Sequence, residues 1–353
     1  MATIVLTGGG TAGHCTPNIA LLPYLKKDFD RIVYIGSENG IEKEIVKNAN
    51  LEYFGVPCTK LKRGEIIKNL SIPFTLTHGI IKAGKILDKI KPDVVFSKGG
   101  FVSLPTVISA YRRKIPVISH ESDFTVGLAN KISARLSKKV LTSFPETAKT
   151  LKNGEFVGPP LRKEIFNSNK VESLKNFGFN GRKPILLVTG GSQGAKILNQ
   201  TIRSALPYLL TKFDVLHICG KNNLIEEKTP HGYIQTEYVN NMEDALSIAS
   251  VCVSRAGSNT LFELMSLKIP CVLIPLPKGI SRGDQILNAN YFEKLGLACV
   301  VRQESLSEKS LFLAINSAYS NRLNFLRNFE NYPIKDSSRQ ITRIIADHAN
   351  SKR

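Results

Sequence analysis

Two glycine-rich turns carry the first recognisable chemistry in this chain. Gly8-Gly9-Gly10-Thr11-Ala12-Gly13-His14 follows the apolar run Thr3-Ile4-Val5-Leu6. Gly190-Gly191-Ser192-Gln193-Gly194-Ala195 follows Ile185-Leu186-Leu187-Val188, about 180 residues later. A strand, a glycine turn and a helix start form an anion site: glycine admits a close backbone approach, and the helix start offers N–H groups. Two such turns point to two similar domains serving one phosphorylated ligand. Gly8-x-Gly10-x-x-Gly13 also matches the dinucleotide fingerprint, which wants an acidic residue at the end of the second strand. Here that strand ends Tyr34-Ile35-Gly36-Ser37 and Glu38 comes late. A turn facing phosphate or substrate is the better reading.

His14 stands at the helix start behind the first turn. A helix N-terminus disfavours imidazolium, so this ring suits a general base; capping or packing the turn is the equal alternative. The segment Ser254-Arg255-Ala256-Gly257-Ser258-Asn259-Thr260-Leu261-Phe262-Glu263 runs from a strand end into a helix. Ser258 or Asn259 is expected as its N-cap. Glu263, on the first turns, either accepts both hydroxyls of a ribose or pairs with the helix dipole. Arg282-Gly283-Asp284-Gln285-x-x-Asn288-Ala289 opens another helix, whose polar side chains read sugar hydroxyls or cap it. His120-Glu121-Ser122-Asp123 places a His and two carboxylates where an α/β sheet keeps its site, or forms an ordinary capped loop. Asp28-x-Asp30 has the form of a metal motif but precedes the second strand, at the opposite sheet edge. It reads as solvated loop, and no metal site is expected.

The elements that position these residues alternate. Strand-like runs fall at residues 32–35, 94–96, 117–119 and 140–142, with helical patterns at 19–27 and 74–90 between them. The rhythm returns with runs at 185–188, 215–218, 251–254, 272–274 and 298–301. That alternation reads as βαβ units and parallel sheets. The breaker Val157-Gly158-Pro159-Pro160-Leu161-Arg162 is the expected domain join. Residues 336–349 read as a last helix, with Ile341, Ile344, Ile345 and His348 at helical spacing; its docking place is not contained in the pattern.

A chain of 353 residues with 42% hydrophobic and 22% charged content fits a globular protein of two domains. Six cysteines without a C-x-x-C argue against a zinc site or a disulfide framework and for a reducing cytoplasm. No signal-peptide pattern opens the chain, and no apolar run reaches the roughly 18 residues of a spanning helix. The net charge of +19 predicts an anionic partner: nucleic acid, acidic lipid or a phosphorylated substrate; a solvated lysine-rich face is the plain alternative. The stretch from Leu61-Lys62-Arg63 through Lys68 to Phe74, and Ile80-Ile81-Lys82-Ala83-Gly84-Lys85, mixes apolar and basic residues. That mixture suits an anionic membrane or an amphipathic segment packed on the sheet. With no Trp and no recognisable module, nucleic-acid binding rests on charge alone.

Taken together, the motifs at Gly8 to His14, Ser97-Lys98-Gly99-Gly100-Phe101, His120 to Asp123, Gly190 to Ala195, Ser254 to Glu263 and Arg282 to Ala289 resemble one family over essentially the whole chain. It is the MurG family, the bacterial peptidoglycan N-acetylglucosaminyltransferases that make lipid II. The resemblance implies an α/β GT-B glycosyltransferase fold: two Rossmann-like domains whose parallel sheets face a central cleft. Residues 1–160 would form the acceptor-binding, membrane-facing domain, joined by a C-terminal helix at 336–353, and 161–335 the UDP-sugar-binding domain. It implies inverting, metal-independent transfer of N-acetylglucosamine from UDP-N-acetylglucosamine to the muramyl 4-hydroxyl of undecaprenyl-pyrophosphoryl-MurNAc-pentapeptide, without a cofactor. The enzyme would sit peripherally on the cytoplasmic side of the cell membrane, with an anionic membrane surface and other cell-wall synthesis and division proteins as further partners and no nucleic acid.

By position, the resemblance implies that Thr11, Ala12 and Gly13 line the site near the donor sugar and acceptor phosphates. Arg162, Ser192 and Gln285 would contact the donor, with Ser258 beside them. Glu263 would take the ribose hydroxyls and Val239 would lie near the uracil. His14 is the leading base candidate, with Glu121 and Asp123 as the others. Asp123 replaces an Asn of many members, and Phe101 replaces a Tyr. A UDP-N-acetylglucosamine epimerase or another GT-B nucleotide-sugar enzyme is the alternative; a nicotinamide-dependent oxidoreductase is a further one.

Overall fold

The computed structural model describes residues 2–60, 71–191, 194–226, 228–279, 282–332 and 337–350. The chain divides into two compact units, Met1–Arg162 with Ile334–Arg353, and Lys163–Pro333. In the first, β1 (Thr3–Thr7), β2 (Arg31–Ser37), β3 (Glu52–Val56), β4 (Val94–Ser97), β5 (Val117–Glu121), β6 (Lys139–Thr142) and β7 (Gly154–Phe156) form one sheet in the order β3-β2-β1-β4-β5-β6-β7. Every pairing is parallel. Parallel strands need crossovers, and helices on both faces then bury them. Alternate side chains go to opposite faces. Ile4 and Leu6 join Phe96, Ile118 and Leu141 in one core. Val5 joins Val33, Ile35 and Val95 in the other, under Ala83, Leu87 and Ile90 of the helix Ile72–Ile90.

The second unit repeats the plan. Strands β8 (Ile185–Thr189), β9 (Asp214–Ile218), β10 (Tyr233–Thr236), β11 (Ala249–Ser254), β12 (Cys271–Leu273) and β13 (Cys299–Val300) are ordered β10-β9-β8-β11-β12-β13, all parallel. The last helix, Ser337–Asn350, places Ile341, Ile345 and Ala349 in the core of the first unit, beside Leu21, Leu22 and Leu25. Its first turn is tied there, with Ser338 Oγ donating to the Leu161 carbonyl at 3.2 Å and Ser337 Oγ to that of Pro159.

Two features depart from the sequence reading. Strands β3, β7 and β10 were not expected, and each is a sheet edge with most of its residues partly exposed, so it lacks the continuous apolar run of a central strand. The helical pattern at 19–27 is two helices, Ala12–Ala20 and Leu22–Asp28, meeting at Leu21. Pro23 lacks the N–H that a continuous helix would bond to Ile19, and it starts the second helix instead. The basic residues Lys62, Arg63 and Lys68 lie outside the described residues.

Candidate functional site

Both glycine turns fall at a switch point. In the first unit the sheet grows one way from β1 through β2 and the other way through β4; in the second, β8 stands likewise between β9 and β11. Crossovers leave such neighbours toward opposite faces, opening a crevice at the carboxyl ends of the strands, where α/β sheets bind ligands. The turn after β1 meets the loop after β4 at backbone distance. A Cβ on Gly10, whose φ is +82°, would lie 2.5 Å from the Phe101 ring. One on Gly100, φ +80°, would lie 2.5 Å from the Gly9 carbonyl oxygen and 3.4 Å from the His14 ring. Only glycine combines that conformation with that approach. His14 Nδ1 is 2.9 Å from Thr11 Oγ1 in this exposed corner, and Thr11 and Gly13 are both exposed, with Ala12 half-buried.

A buried carboxylate holds the turn from behind. Glu42 is completely buried; its Oε2 accepts from Gly10 N–H at 3.1 Å and its Oε1 from Ser37 N–H at 3.0 Å. Sequence reasoning missed it, because a glutamate in the first turn of the short helix Glu42–Asn48 looks like ordinary dipole pairing. Tyr34 Oη donates to the Gly8 carbonyl at 2.8 Å, and Asn18 Nδ2 donates to the Thr7 carbonyl at 3.2 Å. The second unit has a counterpart. Asn199 Nδ2 donates to the Cys219 carbonyl at 2.8 Å, His217 Nε2–H donates to Asn199 Oδ1 at 3.0 Å, and Tyr233 Oη donates to His217 Nδ1 at 2.9 Å. Burial, helped by Arg203, pulls the His217 pKa down to about 3, so this buried ring stays neutral.

The loop after β5 separates its expected candidates. His120 is buried and donates Nε2–H to the Gly158 carbonyl at 3.0 Å. Burial and the Lys98 cation hold its pKa well below the usual range, so it is a neutral strut for the Gly-Pro-Pro segment. The Glu121 carboxylate accepts from Asp123 N–H (3.0 Å), Gly127 N–H (3.0 Å) and Asn130 Nδ2 (2.9 Å). Burial raises its pKa, and the Asp123 charge adds to the rise. Glu121 is thus turned inward and shapes its loop, whereas Asp123 is half-buried on that loop. Lys98 is a cation to which the sequence reading gave no role. Only 1% exposed, it donates to Ser122 Oγ, and burial brings its pKa down to about 8 against the opposing pull of Glu121 and Asp123.

In the second unit, helices begin at Lys196, Ser258 and Asp284, behind β8, β11 and β12. None has a side-chain cap. The expected cap at Ser258 or Asn259 is corrected: Gly257 occupies the cap position and brings no side chain to the helix N-terminus. Glu263 sits on the second turn of that helix, half-buried, rather than in the first turn where dipole pairing is strongest. A Cβ at Gly191 or Gly257 would meet no described atom within 4 Å, so both turns border open space. Asn288 Nδ2 donates to the Ala256 carbonyl at 3.2 Å, and Gln285 Oε1 accepts from Leu276 N–H at 3.1 Å, fixing the loops around this crevice. Val239 is buried in the loop after β10. Arg162 ends the first unit, half-buried, and Ser192 lies outside the described residues. No cluster of three or more His, Cys, Asp or Glu that could hold a metal occurs among the described residues; Asp30 of the D-x-D pair instead accepts from Ala2 N–H at 2.7 Å.

Two parallel sheets, each with a glycine turn at its switch point, give the chain a GT-B architecture, and the family models that match it make it a glycosyltransferase. The N-terminal domain of glycosyltransferase family 28 matches residues 4–142 and the C-terminal domain matches 185–343. A Clostridium botulinum (strain Langeland) protein named UDP-N-acetylglucosamine--N-acetylmuramyl-(pentapeptide) pyrophosphoryl-undecaprenol N-acetylglucosamine transferase is 47% identical over 349 residues, covering 98% of this chain and 99% of its own. A Lachnospira eligens protein of the same name is 48% identical over 354 residues, 99% of this chain and 100% of its own. The crystal structure of Acinetobacter baumannii MurG superimposes with a TM-score of 0.77 at 21% identity, over 98% of this chain and 100% of that one, a likeness of fold. The chain belongs to this family of N-acetylglucosamine transferases.

Proposed function

We propose that the enzyme transfers N-acetylglucosamine from UDP-N-acetylglucosamine to the muramyl 4-hydroxyl of undecaprenyl-pyrophosphoryl-N-acetylmuramyl-pentapeptide, inverting the anomeric carbon. The observation that carries this reading is 47% identity across the full length of relatives so named. In the second unit, the uncapped helix starts at Lys196 and Ser258 direct positive dipole ends at the donor pyrophosphate. Glu263 accepts the ribose hydroxyls, with Ser192, Ser258, Gln285 and Val239 around the nucleotide and Arg162 supplying a cation. In the first unit, His14 takes the proton of the acceptor hydroxyl as that oxygen bonds to the anomeric carbon. The bond from that carbon to the phosphate oxygen breaks, and UDP leaves with the electron pair. His14 Nδ1 lies 2.9 Å from Thr11 Oγ1, and in the tautomer that donates Nδ1–H to that hydroxyl the basic nitrogen is Nε2. Glu121, held by three donors, is the weaker base candidate, and Asp123 near it is either a further base candidate or a sugar contact.

The test is transfer from UDP-N-acetylglucosamine to a purified lipid-linked acceptor, with omission of the acceptor as control. UDP release and the disaccharide product should both require the acceptor. Turnover of the donor alone to an epimer or to free sugar would replace the transferase reading with an epimerase or hydrolase. The same proposal puts the protein peripherally on the cytoplasmic face of the membrane. No helix among the described residues is long and apolar enough to cross one. The helix Ile72–Ile90 instead exposes Phe74 (80%) and Ile81 (54%) beside Lys82 and Lys85, which suits interfacial contact.

A further inference from the structure

A second concavity in the first unit begins one residue beyond Asp123. It has a volume of about 1060 Å³ and runs from Phe124 and Val126 to Leu151 and Asn153. Its wall is the helix Leu128–Leu136, about 13 Å long at 1.5 Å per residue. Both ends are built. Phe124 stacks edge-on against Phe144 at 5.5 Å, and its carbonyl accepts from Thr147 Oγ1 at 2.7 Å. At the far end, Asn153 Nδ2 donates to the carbonyls of Ala134 (3.1 Å) and Ser137 (2.7 Å). Four exposed cations, Lys131, Arg135, Lys138 and Lys152, surround this groove, and none makes a salt bridge with a described residue. The single carboxylate among the lining residues, Glu146, has a buried Oε2 with no hydrogen-bond partner.

We infer that this groove binds the peptide of the acceptor, as an extended chain whose carboxylates meet these cations. The inference rests on the transferase reading, in which the acceptor carries a pentapeptide. Three observations favour a peptide. An excess of unpaired cations calls for anionic groups, and a peptide brings at least its C-terminal carboxylate. The wall length matches about four extended residues at roughly 3.3 Å each. Glu146, the one carboxylate of the lining, buries its Oε2 away from the groove, so little negative charge opposes an anionic chain there. The fixed walls lower the ordering cost of binding a flexible chain.

The experiment measures KM for two lipid-linked acceptors, one with its peptide intact and one with the peptide removed, using the full-length enzyme. In the wild type the intact acceptor should have a KM about tenfold lower. The variant K131Q/R135Q/K152Q should bring the two values within about twofold, whereas the control K170Q/K175Q/K309Q on the second unit should keep the tenfold ratio. These exposed substitutions do not disturb the core, and kcat on the peptide-free acceptor reports the folded enzyme. A ratio near one in the wild type, or a ratio preserved in the groove variant, overturns the inference. Loss of phosphatidylglycerol vesicle binding in the groove variant with the ratio preserved would reassign the groove to lipid. Failure of the wild type to turn over either acceptor would instead overturn the transferase reading.

Discussion

His14 and Glu263 make opposite predictions, one for the chemical step and one for binding. His14→Ala should lower kcat by about 10²–10⁴, while calorimetry finds UDP-N-acetylglucosamine affinity within about twofold of wild type. Glu263→Ala should weaken that affinity about tenfold, roughly 1.4 kcal/mol. Unaltered turnover in the first variant, or unaltered affinity in the second, returns the residue to a structural part. Lys98 carries a pH prediction. Its folded pKa of about 8 lies below the ordinary 10.5, so between those values the unfolded chain binds more protons. Stability therefore gains from this site as pH rises from about 8 to 10.5, with a slope of up to roughly 1.4 kcal/mol per pH unit. Urea unfolding at pH 8, 9 and 10 should show that slope reduced in Lys98→Met; an equal slope would remove Lys98 as its source. The sequence singles out His14 and Glu263 because each belongs to a motif with its own local geometry. Lys98 and Glu42 were not legible as functional groups, since their burial comes from strands and turns distant in the chain.

The elements were readable where one strand carries its whole apolar run and unreadable at sheet edges. β1, β4, β5 and β8 announce themselves because both faces are buried. β3, β7 and β10 each pair on one side only and keep polar or half-exposed residues. The last helix shows the same division. Its spacing marked Ile341 and Ile345 as one stripe, but no periodic pattern names the surface that receives it. Ile345 is fully buried there, so Ile345→Ala should cost about 2–5 kcal/mol, measured by denaturant unfolding. A loss below about 1 kcal/mol would mean the helix is only loosely docked. The turn braces are an element-scale device of the same kind: an asparagine within the helix after each glycine turn bonds a carbonyl at a strand end.

At the scale of the whole molecule, charge is the property to test. With a net +19, binding to phosphatidylglycerol vesicles should be strong in low salt. It should fall at least tenfold in 1 M salt, where the screening length drops to about 3 Å; phosphatidylcholine vesicles should bind little. Replacing Lys62, Arg63 and Lys68 by Gln should weaken binding to the anionic vesicles about a hundredfold, at roughly 1 kcal/mol per cation. Equal binding would take that segment out of the membrane contact. The route of the chain has another outcome, in time rather than in affinity. The first unit breaks off at Arg162 but owns the helix Ser337–Asn350, so on the ribosome its hydrophobic interior stays incomplete until that helix emerges. At about 5–20 residues per second, that wait is roughly ten to forty seconds. The continuous second unit can fold to completion during it, and the unit that carries the Gly8–His14 turn is sealed after it.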